Sequence, residues 1–182
     1  MTWHIGKLPV GPPPRVVGTL SSVAALEKFA RVPGETCDIA EVRLDRIGPA
    51  ATDWLGQAKA IEARGVPVIL TLRLAADGGA WRRPDEERAG YFSLALENLA
   101  AIDVELQSRL LPRLAAAARQ AGKTLIGSHH DFTKTPSVTA LETLILEASR
   151  QVSVVKLATM ITKPSDVATL GGLLERDWGV PL

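Results

Sequence analysis

The chain has 182 residues, 46% of them hydrophobic, and 21 basic residues against 20 acidic ones leave a formal net charge of +1. That length and apolar content suit a single domain with a real core and exclude a disordered chain. Near-neutral charge without a long basic run leaves no electrostatic footprint for nucleic acid or a membrane surface, so a small molecule is the natural partner. One cysteine, Cys37, excludes an intramolecular disulfide and a cysteine zinc cluster; it fits a reducing compartment and reads as a core residue. No apolar stretch has the length of a bilayer span and the first residues hold no signal-peptide h-region, so the expected location is the cytoplasm.

In chain order, residues 1–14, with Pro9, Pro12, Pro13 and Pro14, read as a Pro-rich arm, and residues 15–182 as one catalytic domain. Within that domain short β-branched runs alternate with stretches of helical period, the pattern of βα units around a parallel sheet. The expected strand and helix pairs are Arg15–Leu20 with Val23–Val32, Asp38–Leu44 with Asp53–Ala63, and Val66–Arg73 with Pro84–Asn98. They continue with Ala101–Leu106 and Ser108–Ala121, Thr124–Ser128 and Ser137–Arg150, and Val152–Ala158 and Pro164–Trp178. Gly65 and Gly122 stand where helices end, and Pro164 followed by Ser165 and Asp166 suits a helix start. Gly179-Val180-Pro181-Leu182 then reads as the opening of a seventh strand, so the chain is expected to stop after about six βα units.

The carboxyl ends of parallel strands build the active site in open sheets and barrels alike. Here those ends carry Glu41-Val42-Arg43-Leu44-Asp45, Thr71-Leu72-Arg73, Asp103-Val104-Glu105, Ser128-His129-His130-Asp131 and Lys156. Strand alternation puts Glu41, Arg43 and Asp45 on one face, opposite Val42 and Leu44. Such charge on an inner face is costly unless the groups pair with one another or with a ligand, and the bland alternative is a structural network of Glu41, Arg43, Arg73, Glu105 and Lys156. Lys156, inside the apolar run Val154–Ala158, is expected to be buried, which pulls an amine down from its usual pKa of about 10.4 and makes it a nucleophile towards a carbonyl. His130 is the natural proton carrier beside the resulting imine, Glu41 the candidate carboxylate on its imidazole, and Arg43 and Arg73 suit a substrate with a carboxylate or several hydroxyls. Only one of His129 and His130 can face the site, and His4 plays no part in it.

These segments resemble the type I 3-dehydroquinate dehydratases, Schiff-base enzymes of the shikimate pathway built as (β/α)8 barrels. Glu41–Asp45 is similar to the family's E-x-R-x-D, Thr71-Leu72-Arg73 with Gly78-Gly79 to its T-x-R…GG, Ser128–Phe132 with Thr135-Pro136 to its S-x-HDF-x-x-TP, and Val155–Ala158 to its lysine strand. The resemblance runs from Val16 to Leu182 and implies an α/β fold of the TIM-barrel type. It further implies that Lys156 forms an imine with the ketone of 3-dehydroquinate, that His130 moves the proton from the adjacent methylene, and that water is lost to give 3-dehydroshikimate. Glu41, Arg43, Arg73 and, less directly, Thr19 would bind substrate. Neither metal nor dissociable cofactor is required, because the protonated imine is the electron sink. The family is often dimeric, so a homodimer follows from the resemblance alone.

The chain departs from the family pattern in two places. Asp77 stands where a glutamate usually precedes the double glycine, and the arginine and lid loop of the family's last two βα units have no counterpart up to Leu182. Two other readings follow: an inactive or interaction-only partial barrel, and a class I aldolase, against which the Ser-His-His-Asp-Phe and Glu-x-Arg-x-Asp segments argue.

Overall fold

A computed structural model describes residues 3–11, 14–31 and 36–182. The segment expected as a Pro-rich arm holds an antiparallel hairpin of Trp3–Ile5 (β1) and Leu8–Val10 (β2), turned at Gly6-Lys7 with Gly6 at φ +59°. Pro9 lies opposite His4, next to the pair that closes the turn, where antiparallel alternation requires no ladder bond and a proline is tolerated. Pro12 and Pro13 lie outside the described residues.

Six parallel strands follow and hydrogen-bond in chain order: Val17–Leu20 (β3), Ile39–Arg43 (β4), Val68–Thr71 (β5), Ala101–Glu105 (β6), Thr124–Asp131 (β7) and Val154–Thr159 (β8). The helices between them are Val23–Arg31 (α1), Leu44–Ile47 (α2), Trp54–Glu62 (α3), Asp85–Asn98 (α4), Leu111–Ala121 (α5), Val138–Ala148 (α6) and Pro164–Leu174 (α7). All six expected βα units are present. Several edges coincide with the expected ones and the others move by up to four residues, while Val32, expected to end the first helix, lies outside the described residues. Local chemistry sets several ends. Asp53 and Ser137 accept from Gly56 and Ala140 N–H to start α3 and α6, Gly122 closes α5 at φ +64°, and Gly65 sits at φ +94° after α3.

Alternation then sorts the side chains. The outer face, with Val42, Leu70, Leu72, Ile102, Val104, Leu125 and Val155, packs beneath the helices as the main core. The inner face is layered. At the amino ends of the strands Ile39, Ile69, Ala101 and Ile126 gather around Ile5 of the hairpin, so β1 and β2 plug the floor of the curled sheet. Thr124 Oγ1 donates to the His4 carbonyl at 3.0 Å and ties the plug to β7. Above this floor the inner face turns polar. Curvature is measurable, because Lys156 on β8 reaches within 4.0 Å of Glu41 on β4, four strands away. In a flat sheet strands about 4.8 Å apart would hold their backbones roughly 19 Å from each other.

The segment expected to open a seventh strand forms no ladder, yet Val155 N–H donates to the Pro181 carbonyl at 2.9 Å on the open side of β8. Cys37 is half-buried, not a core residue: it lies against the backbone of Gly18, where an added Cβ would meet its sulfur at 2.8 Å. Among the described residues no helix is long and apolar enough to cross a membrane.

Candidate active site

The polar layer of the inner face gathers at the carboxyl ends of the strands around a network of Lys156, Asp103, Arg73, Ser128, Glu41, Thr19 and Thr71, with the Arg43–Asp45 pair and His130 beside it. Lys156 Nζ sits 3.2 Å from Asp103 Oδ2 and 4.0 Å from Glu41 Oε1. Asp103 Oδ1 is held at 2.6 Å by both Arg73 Nη2 and Ser128 Oγ, and Arg73 Nη1 donates to Ser128 Oγ, also at 2.6 Å. Glu41 accepts from Thr19 Oγ1 at 2.9 Å and from Thr71 Oγ1 at 2.8 Å. Arg43 donates twice to Asp45, both bonds 2.9 Å, in a fork that fixes the plane of its guanidinium. The register of β7 against β8 pairs Ser128 with Lys156 and His130 with Ala158, so His130 is the diagonal inward neighbour of the amine.

Electrostatics divide these groups into fixed and movable charges. Burial pushes the Asp103 carboxyl upward, but the charges of Arg73 and Lys156 and the hydrogen bonds from Ser128 and Arg73 outweigh it and keep the group below the ordinary carboxylate range. His130 goes the other way: burial first, then the Arg73 charge, lower it to about 4 against the opposing pull of Asp103, with Lys156 lowering and Asp77 raising it further. Its ring stacks on Phe132 at 5.9 Å between centroids, and among the described residues its Nδ1 is buried without a hydrogen-bond partner. The hydrogen bond to Asp45 holds Arg43 still more firmly protonated than usual.

Every residue expected at the site is in or beside this cluster, but three expectations fail. Lys156 is not buried: its side chain is 43% exposed, because it leaves the strand on the open inner face and not between apolar neighbours. The desolvation argument for its reactivity therefore does not apply, and paired carboxylates surround it instead. Glu41 does not touch His130; its oxygens serve Thr19 and Thr71, and β5 and β6 separate their strands. Asp45 does not share the strand face of Glu41 and Arg43, because the chain turns into α2 at Leu44. Conversely, β7 runs to Asp131, so alternation decides between the histidines: His130 faces in with Ser128, while His129 faces out and meets Gln107 Nε2 at 2.9 Å.

Sequence reasoning missed Arg88. It is fully buried on α4 and joins Glu105 Oε2 at 2.7 Å, the Leu72 carbonyl at 2.9 Å and Ser108 Oγ at 3.1 Å. A signal existed: Arg88 occupies the same helical stripe as Phe92, Ala95 and Leu96, the buried face of α4.

Residues 17–176 match the sequence profile of the type I 3-dehydroquinase family. A 3-dehydroquinate dehydratase of Methanosarcina barkeri is 30% identical over 175 residues, covering 92% of this chain and 72% of the relative. One of Methanosarcina acetivorans is 33% identical over 156 residues, covering 80% of this chain and 63% of the relative, so the chain spans less than two thirds of that protein. Among solved structures, the 3-dehydroquinate dehydratase of Aquifex aeolicus superposes with TM-score 0.72 at 27% identity, over 85% of this chain and 71% of that one. That of Geobacillus kaustophilus, at 20% identity, shares the fold with TM-score 0.85 over 100% of this chain and 77% of its own.

Proposed function

We propose, for a chain that belongs to the type I 3-dehydroquinase family, that it dehydrates 3-dehydroquinate to 3-dehydroshikimate through an imine on Lys156. The observation that carries this reading is the inward amine of Lys156, 3.2 Å from Asp103 and diagonal to His130. In the reaction the amine adds to the substrate ketone and expels water, giving a protonated imine whose positive charge Asp103 and Glu41 balance. Neutral His130 takes a proton from the adjacent methylene, and the electron pair moves into the imine. Its low pKa of about 4 makes the resulting imidazolium a strong acid beside Arg73, ready to protonate the leaving hydroxyl as water. A second water then hydrolyses the imine and frees Lys156. Arg43 offers charge-assisted hydrogen bonds to the substrate's hydroxyl oxygens, Arg73, its terminal nitrogens held by Asp103, Ser128 and Glu105, adds its charge at the wall of the same space, and Thr19 and Thr71 hold Glu41 towards it.

The test is the intact mass of the chain after incubation with 3-dehydroquinate and sodium borohydride, which reduces an imine to a stable amine. A single adduct is expected, absent in Lys156→Ala, whose circular dichroism should match the parent. A folded parent chain that forms no adduct, or a Lys156→Ala variant that turns over normally, rejects the mechanism and favours a binding-only partial barrel.

A further inference from the structure

Glu105 and Asp45 each serve a guanidinium of the site and a backbone N–H of the loop that follows β5. Glu105 Oε1 lies 3.3 Å from Arg73 Nη1 and accepts from Leu74 N–H at 3.1 Å. Asp45 Oδ2 lies 2.9 Å from Arg43 Nη2 and accepts from Ala80 N–H at 3.0 Å. Between these two pins runs a short 3-10 turn, Ala75–Asp77, followed by Gly78 against the Phe132 ring that stacks on His130. A carboxylate as buried as Glu105, 2% exposed, needs its charge paired, and besides Arg73 a second cation holds it from behind. Arg88 is that cation. Its guanidinium donates to Glu105, the Leu72 carbonyl and Ser108, which tie it to β6, to the chain leaving β5 and to the turn after β6. Its Nε lies 3.1 Å from Asp85 and, among the described residues, makes no hydrogen bond.

We propose that Arg88 is a positioning residue: by holding Glu105 from behind, it fixes Arg73 against Asp103 and Ser128 and anchors the 74–80 loop over His130. Without it, Glu105 retains one cation, Arg73, and draws it away from Asp103. Two consequences follow for the site. Arg73 leaves its place at the wall of the site, and His130 loses a nearby cation while Asp103 becomes a freer anion beside it. Both changes favour a protonated imidazole.

The kinetic arm of the test rests on the dehydratase reading; the spectroscopic arm does not. Five proteins are compared: the parent, Arg88→Met, Arg88→Lys, Glu105→Gln and the double variant Arg88→Met/Glu105→Gln. In Arg88→Met the KM for 3-dehydroquinate should rise about tenfold or more, with a smaller change in kcat, since one charged contact is worth roughly a factor of ten or above. Arg88→Lys should restore part of it, and Glu105→Gln should reproduce the rise while leaving the Ser108 and Leu72 contacts of Arg88 in place. The double variant should be no worse than Glu105→Gln alone. Independently, the NMR titration of His130 should move up in Arg88→Met, where the Glu105 anion pulls Arg73 from Asp103, and stay near the parent value in Arg88→Lys and in Glu105→Gln, which lacks that anion. A lowered melting temperature with KM and His130 titration unchanged would make Arg88 a fold staple only and overturn the proposal. If Arg88→Met fails to fold, an unchanged KM in Glu105→Gln overturns it equally. A parent chain that forms no imine counts against the dehydratase reading and leaves the His130 titration to decide this one.

Discussion

At the scale of single residues the controlling quantity is which groups change protonation near neutral pH. His130 does not take its proton in the folded chain until pH falls to about 4, whereas an unfolded histidine does so near 6.5. Between those values the unfolded chain binds more protons, so stability should fall as pH drops through this window, and the part of that fall due to His130 ends at its lower limit. Asp103, whose carboxyl is held down in the fold, contributes stability that is lost only below its ordinary range, so it leaves the window clear. Replacing His130 with Gln should flatten the pH dependence of the urea midpoint between pH 6.5 and 4; an unchanged slope would assign it to other groups. On the proposed mechanism the acid limb of kcat/KM should lie near pH 4 for the same reason. Residue identity was legible in sequence to this depth: Lys156, His130, Glu41, Arg43, Arg73 and Thr19 all come from strand ends that the pattern of βα units singled out. What those residues touch was not legible, since the Glu41 contacts to Thr19 and Thr71 depend on the stagger between β3, β4 and β5.

At the scale of elements the loop between β5 and α4 carries the tightest constraint. A Cβ at Gly79 would stand 2.1 Å from the Arg73 carbonyl oxygen, a main-chain atom with nowhere to go, so the backbone must move. Gly79→Ala should cost about 1–3 kcal/mol and weaken ligand binding by shifting Arg73. Gly90→Ala is the control, because inside α4 its Cβ meets nothing within 4 Å, and it should be neutral or stabilising by about 0.5–1 kcal/mol. Denaturant midpoints of the two variants check both. The sequence marked Gly78-Gly79 as a motif, but its physical reason, a chain crossing directly over Arg73, required coordinates. Element edges behaved similarly. Hydrophobic pattern located each strand, while the extension of β7 to Asp131 and the turn of Leu44–Ile47 into α2 follow from hydrogen bonding that no periodicity encodes.

At the scale of the whole molecule, six parallel strands curl enough to enclose a polar upper layer, and the hairpin at the amino terminus closes the floor with Ile5. Ile5 is 4% exposed among Ile39, Ile69 and Ile126, so Ile5→Ala should cost about 2–4 kcal/mol, whereas His4→Ala, on the exposed side, should be close to neutral. Thermal unfolding of the two variants separates a packed plug from a loose arm. A loss near zero at Ile5 would mean that the floor is held without β1 and β2.

Sequence alone determined the βα order, the inner and outer faces of the strands, and the small set of chemical groups at their carboxyl ends. These follow from period-two and period-3.6 patterning, which is local and survives in a single chain read without neighbours. Tertiary structure decided the rest: that the hairpin of β1 and β2 is a plug, that Lys156 opens to solvent between Asp103 and Glu41, and that a buried arginine on α4 stands behind Glu105. Each of those is a contact across the curvature of the sheet or between a helix and a distant strand, and its geometry is set by how strands stagger and curl, which only closing the sheet around its core establishes.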